Sequence, residues 1–135
     1  MATVNDLIKD RRIYSIDANA SVLEAARFMM EHSIGALPVV REGELAGIVS
    51  ERDVMNRVVA VGRMPGQTRV SEVMTANPRS VSPEESIEEC LFLMKEFNFR
   101  HLPVCEGKQL RGLISLRDLL LLNSRQQSDH RRMAV

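Results

Sequence analysis

Apolar positions along the chain fall into short blocks, and the blocks come twice. The first set opens with Ile13–Ile16, which reads as a short strand. Ser21 then precedes Val22, Ala25, Ala26, Met29 and Met30 at helical spacing, with Glu24 three residues after the serine as in a capping box. That helix should end near Ser33. Two apolar runs, Ala36–Val40 and Leu45–Val49, flank Arg-Glu-Gly-Glu and predict a hairpin, after which a helix is expected from Glu51 to about Val61.

The second set repeats the first at an offset of 65 residues (80 − 15): Ser15 falls on Ser80, Ser21 on Ser86, Glu24 on Glu89 and Met29 on Met94. Leu37-Pro38-Val39 falls on Leu102-Pro103-Val104, Gly47 on Gly112, Ser50 on Ser115, and Arg52-Asp53 on Arg117-Asp118. The elements follow in the same order. A strand at Arg79–Val81 leads to a Ser86-capped helix with Ile87, Cys90, Leu91, Met94 and Phe97, ending near Asn98. A hairpin of Leu102–Cys105 and Leu110–Ile114 leads to a helix from Leu116 to about Asn123.

Two copies of one β-α-β-β-α unit explain this pattern. The near-continuous apolar strands predict a sheet covered on both faces, hence an α/β (α+β) fold. A unit of about 60 residues is marginal alone, so the copies are expected to pack through their sheets with pseudo-twofold symmetry. The boundaries predicted are 2–62 for the first repeat with its lead-in helix, 63–69 for a linker, and 70–123 for the second repeat. Val4–Ile8 and Val70–Met74 match as lead-ins, and 124–135, polar and patternless, reads as a flexible tail.

Composition narrows the functional classes. The 135 residues carry 18 Lys+Arg and 18 Asp+Glu, so no net field draws in nucleic acid or an anionic membrane. No apolar run approaches the ~20 residues of a membrane helix, and the N-terminus has no signal-peptide pattern; a cytoplasmic location is expected. Cys90 and Cys105 align with Ala25 and Val40, small core positions, and build no disulfide framework. The three histidines lack metal-ligand spacing, and no Walker A loop, Gly-x-Ser-x-Gly or Gly-x-Gly-x-x-Gly occurs; neither a metal site nor a catalytic residue is predicted.

The Ser-capped helix, the Leu-Pro-Val strand, and Gly-Ile-Val-Ser-Glu-Arg-Asp (47–53) repeated as Gly-Leu-Ile-Ser-Leu-Arg-Asp (112–118) together resemble the CBS domain family. The resemblance spans roughly 2 to 123, as a stand-alone tandem pair, or Bateman module. It implies a regulatory, non-catalytic module that binds an adenosine nucleotide (AMP, ADP or ATP) in clefts between the domains. S-adenosylmethionine or NAD(H) is the alternative ligand, and a ligand-independent interaction module the alternative role. It also implies a homodimer, shaped as a flat disk, that acts on an unknown effector protein.

The motif residues suit such a ligand. Ser50 and Ser115 stand where a strand gives way to a helix, and their hydroxyls and the helix-start N–H groups could meet a phosphate. Asp53 and Asp118 can accept from both ribose hydroxyls. The same Ser-x-x-Asp spacing is also a self-sufficient helix cap, and the two roles can coexist. Arg52 and Arg117 could reach phosphate across a cleft, or be ordinary solvated arginines. By resemblance, the adenine slot lies between the exit of strand one (Ile16-Asp17, or Val81-Ser82) and the start of strand two (Ala36-Leu37, or His101-Leu102), with hydroxyl help from Ser80 and Ser82.

The first site is therefore assigned Ile16, Asp17, Ala36, Leu37, Ser50, Arg52 and Asp53. The second is assigned Ser80, Val81, Ser82, Arg100, His101, Leu102, Ser115, Arg117 and Asp118. Arg100 and His101 replace Gly35 and Ala36 of the first copy, so the second site is expected to be the better phosphate site. The first would take a less charged ligand, stay empty, or draw on Arg52, Arg57 or Arg63.

Overall fold

The computed structural model describes residues 2–122. After lead-in helix α1 (Val4–Ile8), the first repeat runs β1 (Ile16–Asp17), α2 (Val22–His32), β2 (Ala36–Arg41), β3 (Glu44–Ser50) and α3 (Glu51–Val54), whose last turns widen into a π-helical stretch, Met55–Val59. Short 3-10 turns at Pro65–Gln67 and Val70–Glu72 and the strand β4 (Thr75–Ala76) lead to α4 (Ile87–Phe97), β5 (His101–Glu106) and β6 (Gln109–Ser115). A last helix, α5, fills 116–122. Its expected end at Asn123 and the tail over 124–135 lie outside the described residues.

The helix starts follow from their caps. Ser21 Oγ accepts the Glu24 N–H and Ser86 Oγ the Glu89 N–H, both at 3.1 Å. At the far ends Ser33 and Asn98 adopt left-handed backbone (φ 53° and 57°), which stops each helix and turns the chain into the next strand. Val22, Ala25 and Met29 are buried as their spacing predicts, and so are Ile87, Cys90 and Met94. Met30 and Phe97 are not: they stand 73% and 46% exposed, at the outer edge of the apolar stripe.

The strands form one sheet in the order β1-β2-β3-β6-β5, with β4 on β3. The hairpins match pair for pair at the 65-residue offset. Ala36 faces Ser50 as His101 faces Ser115, and each hairpin shifts register at the same place, Val39/Val40 and Val104/Cys105. Strand one is shorter than its sequence predicts. It pairs with β2, parallel, only at Ile16↔Val39 and Asp17↔Val40, and its counterpart shrinks to a single bridge, Val81↔Val104. The two halves of the sheet meet at one antiparallel pair, Glu44↔Gln109.

Two cores result, and the lead-ins cross between them. Val4 and Ile8 are buried among Ile87, Leu102 and Ile114 of the second copy, while Val70 and Val73 are buried among Val22, Leu37 and Val49 of the first. The backbone follows the same exchange: Thr3 bridges Ser86, and Arg69 bridges Ser21.

The duplicated glycines make the crossing possible. A Cβ on Gly112 would stand 3.3 Å from Ile8 Cγ2, and one on Gly47 only 2.5 Å from Met74 Sδ and 2.8 Å from the Thr75 carbonyl oxygen. Because that carbonyl belongs to backbone paired with β3, it cannot swing away as a side chain would. Gly47→Ala is expected to destabilise the fold by about 1–3 kcal/mol, the usual range for overpacking, as read by urea denaturation. Gly112→Ala meets no backbone, only the buried side chain of Ile8 and at a longer distance, and should cost less.

Candidate functional site

Both strand-to-helix junctions are built alike. The Ser50 N–H donates to Asp53 Oδ2 at 2.9 Å, the Ser50 hydroxyl to the same oxygen at 3.1 Å, and the Asp53 N–H to Ser50 Oγ at 3.2 Å. In the second copy the Ser115 N–H donates to Asp118 Oδ2 at 2.9 Å and the Asp118 N–H to Ser115 Oγ at 3.0 Å. The motif is thus a reciprocal cap in both places. The next N–H of each helix is also engaged, Glu51 with the Gly35 carbonyl at 3.0 Å and Leu116 with the Arg100 carbonyl at 2.8 Å. This corrects the picture of helix starts with backbone donors free for phosphate: most are in use, and the positive charge for an anion comes from side chains.

That charge is present. The Ser50–Asp53 junction opens on a cleft of about 540 Å³ whose rim carries Arg52, Arg79 and Arg100, with Ile48 and Pro78 as apolar walls. The Ser115–Asp118 junction opens on one of about 580 Å³ rimmed by Arg11, Arg12 and Arg117, with Tyr14, Pro38 and Leu113 as walls. Gly35, Glu51 and His101 line both clefts and form the wall between them.

The sites expected from the sequence are regrouped. Ser50, Arg52 and Asp53 do come together, and so do His101, Ser115, Arg117 and Asp118. Arg100, expected beside Asp118, lines the Asp53 cleft instead, and Ala36, expected beside Asp53, lines the Asp118 cleft. Each motif faces the helix-to-strand corner of the other copy, so the preference for phosphate assigned to the second site loses its basis in Arg100.

Ile16, Asp17, Val81 and Ser82 line neither cleft. The reason is the parallel register of strand one. Ile16 sits beside Val39, well along β2, so the cleft end of the sheet meets the residues that enter strand one, Arg12 and Tyr14, rather than those that leave it. The same holds for Asn77–Arg79 before Val81. Leu37 and Leu102 are fully buried in the two cores. Ser80 lines a separate hollow with Arg41 and Lys108. Of the other arginines considered for the first site, Arg57 Nη1 donates to the Val73 carbonyl at 2.8 Å and Arg63 pairs with Glu72 at 2.8 Å; neither lines a motif cleft.

The family model of the CBS domain matches residues 4–60 and 70–124. The chain belongs to the CBS domain family. The "CBS domain-containing protein YhcV" of Bacillus subtilis is 38% identical over 119 residues, covering 88% of this chain and 84% of its own. Among solved structures, a protein with CBS domains from Burkholderia ambifaria MC40-6 matches with a TM-score of 0.82 and 45% identity over 88% of this chain and 91% of that one. The CBS domain pair of protein MJ0100, in complex with 5′-methylthioadenosine and S-adenosyl-L-methionine, matches over 93% of this chain and 98% of that one, with a TM-score of 0.83 and 24% identity, a likeness of fold.

Within the CBS pair the cleft residues that sequence reading missed include Arg11, Arg12, Tyr14, Glu51 and Arg79. Their signal is faint: Arg79 and Tyr14 share one position at the 65-residue offset (14 + 65 = 79), but no identity links them. Arg79 lies 4.6 Å over the Phe97 ring, a cation–π contact that holds it near the cleft. Tyr14 packs edge-on against Phe28, ring centroids 5.5 Å apart. Among the described residues no group of three His, Cys, Asp or Glu is placed to hold a metal ion, and no helix is long and apolar enough to cross a membrane.

Asp118, His101 and Cys90 depart from their ordinary values. Burial works against ionisation of Asp118, but hydrogen bonds from Arg11 and Ser115 outweigh it and hold the carboxyl below the usual aspartate value. Burial lowers the His101 pKa below 6.5, with Arg100 adding to the effect and the facing carboxylates of Asp118 and Glu51 opposing it. Cys90, pushed up to about 11 by burial and by Glu85 and Glu89, is an inert thiol.

A folded-state pKa below 6.5 means that the unfolded chain takes up the proton first. The contribution of His101 to stability is thus full above 6.5 and is lost as pH falls through the lower folded value. Urea midpoints recorded from about pH 8 to about pH 5 should fall more steeply for the wild type than for His101→Gln, which has nothing to protonate there.

Proposed function

We propose that this CBS pair is a regulatory module that binds an adenosine nucleotide of the AMP, ADP or ATP type in its two clefts and passes its state to an effector protein. One observation carries the reading: each duplicated carboxylate opens on a cleft large enough for a nucleotide, rimmed by three arginines in a protein of zero net charge. The carboxylate suits a ribose diol, the arginines a phosphate chain, and the apolar walls a purine face. Because each cleft draws on both domains, a bound ligand ties the two together, and it can signal only so far as it prefers one arrangement of them.

The pair is further proposed to act as a homodimer. Met30, Met55, Val59, Phe92, Phe97 and Leu120 are large apolar side chains left exposed on its helices, and a second copy packed on them would take them out of water. Analytical ultracentrifugation should find twice the chain mass.

The test of ligand binding is a calorimetric and thermal-unfolding panel of AMP, ADP, ATP, S-adenosylmethionine and NADH. A ligand at a hundredfold excess over its Kd stabilises the fold by about 2.7 kcal/mol, and a nucleotide is expected to do so. No response to any of the five would remove the proposal, and a response to S-adenosylmethionine or NADH alone would change its ligand.

A further inference from the structure

The two motif carboxylates occupy equivalent positions but are not in the same state. Asp53 uses Oδ2 for its cap, and its Oδ1 lies 3.9 Å from Arg57 Nε, too far for a hydrogen bond. Asp118 uses Oδ2 for the same cap, yet both of its oxygens are also taken by one guanidinium: Arg11 Nη1 donates to Oδ2 and Nη2 to Oδ1, each at 3.0 Å. This is the two-pronged geometry in which arginine binds a carboxylate best. The acceptor left open in the first cleft is closed in the second.

Arg11 is moored there by the fold. Its N–H donates to the Ile8 carbonyl at 3.0 Å, and Ile8 and Val4 of α1 are buried in the core beneath the Asp118 cleft. Its side chain is 43% exposed, so the guanidinium has room to swing away from Asp118 and remain in the cleft. The first copy has no counterpart. Sixty-five residues on stands Ala76 (11 + 65 = 76), held in β4 against Gly47, and after it Asn77; neither carries a charge.

We propose that Arg11 sets the ligand class of the Asp118 cleft. Its guanidinium occupies the carboxylate that a ribose diol needs, and only a ligand with an anionic group in reach can draw it off without leaving it unpaired. The Asp118 cleft therefore takes phosphorylated adenosine ligands and turns away neutral nucleosides, whereas the Asp53 cleft admits both. A neutral nucleoside has to break a charge-assisted pair and offers nothing in return; a nucleotide exchanges carboxylate for phosphate as the partner of Arg11. The proposal rests on the nucleotide-binding reading above and adds the ligand class of one of its two sites.

The experiment is calorimetric titration of the full chain with AMP and with adenosine, in wild type, Asp53→Asn, and Asp53→Asn combined with Arg11→Gln or Arg11→Lys. With the first cleft disabled, AMP should bind at least about tenfold more tightly than adenosine. Adding Arg11→Gln should strengthen adenosine and weaken AMP, narrowing the gap between them severalfold, with Arg11→Lys, which keeps the charge but not the fork, in between. An AMP-to-adenosine ratio unchanged by Arg11→Gln overturns the proposal, as does an Asp53→Asn protein that binds neither ligand while the wild type binds AMP. In both cases the nucleotide reading stands. Failure of the wild type to bind either ligand removes that reading and this proposal together. Far-UV circular dichroism of each variant checks that the fold is kept.

Discussion

Leu37→Ala will lower the unfolding free energy by about 2–5 kcal/mol, and Leu102→Ala by a similar amount, because each leaves a cavity in a core that cannot collapse around it. Both side chains are 0% exposed and stand at the same place in the two copies (37 + 65 = 102). The more telling expectation concerns how the damage spreads. Val4 and Ile8 belong to the core of Leu102, and Val70 and Val73 to the core of Leu37, so neither core can open without releasing chain that the other domain depends on. Tyr14 is the single tyrosine of a chain without tryptophan, and it packs on the first core. At fixed chain concentration, Leu102→Ala should shift the urea midpoint of Tyr14 fluorescence as far as that of far-UV circular dichroism. Separated midpoints would show two independently folding domains.

The second large effect is on binding. Asp53→Asn keeps a carbonyl oxygen to accept the Ser50 N–H, so the loss in stability should stay near that of a weakened cap, about 1 kcal/mol. What disappears is the charge and the acceptor at Oδ1, the oxygen that no close donor among the described residues holds. Hydrogen bonds to a charged group contribute about 1.5–3 kcal/mol, so AMP affinity in that cleft should fall roughly ten- to a hundredfold. Calorimetric titration reads this directly. An affinity left intact would mean that Asp53 serves as a helix cap alone.

How much was legible in the sequence depended on how local the cause was. Ser21, Ser86, Ser50 and Ser115 each satisfy N–H groups within three residues of themselves, so their spacing was enough to place four helix starts. The paired hairpins were equally plain, since both copies repeat the same apolar runs. Periodicity marked the apolar stripes of α2 and α4 but not their edges, so Met30 and Phe97 share the helical spacing and yet stand exposed. The π-helical turns after Val54 leave no pattern of their own; they widen the bonding so that the Ala60 N–H reaches the Met55 carbonyl at 2.9 Å. The strand β4 is two residues long and exists because Gly47 lets Thr75 come close.

The clefts were the least legible part because their residues meet across the pseudo-twofold axis. No spacing along the chain relates Arg100 to Asp53, or Arg11, 107 positions away, to Asp118. The decisive fact was the parallel pairing of Ile16 with Val39, which turns the entry of strand one toward the clefts. Parallel and antiparallel neighbours are equally compatible with a short apolar run, so that choice had no signature in the residues themselves.

The exchanged lead-ins bear on how such a chain can be divided and how it could have arisen. A cut within 63–69 would give an N-terminal piece that still holds Val4 and Ile8 but lacks the Val70 and Val73 its own core requires. Each piece would be an incomplete body with the missing wedge of the other, and mixing them should restore what neither is alone. A single-unit ancestor would have faced the same shortage, and association with its twin would have been the condition for folding; a gene duplication would then have joined two molecules that already needed each other.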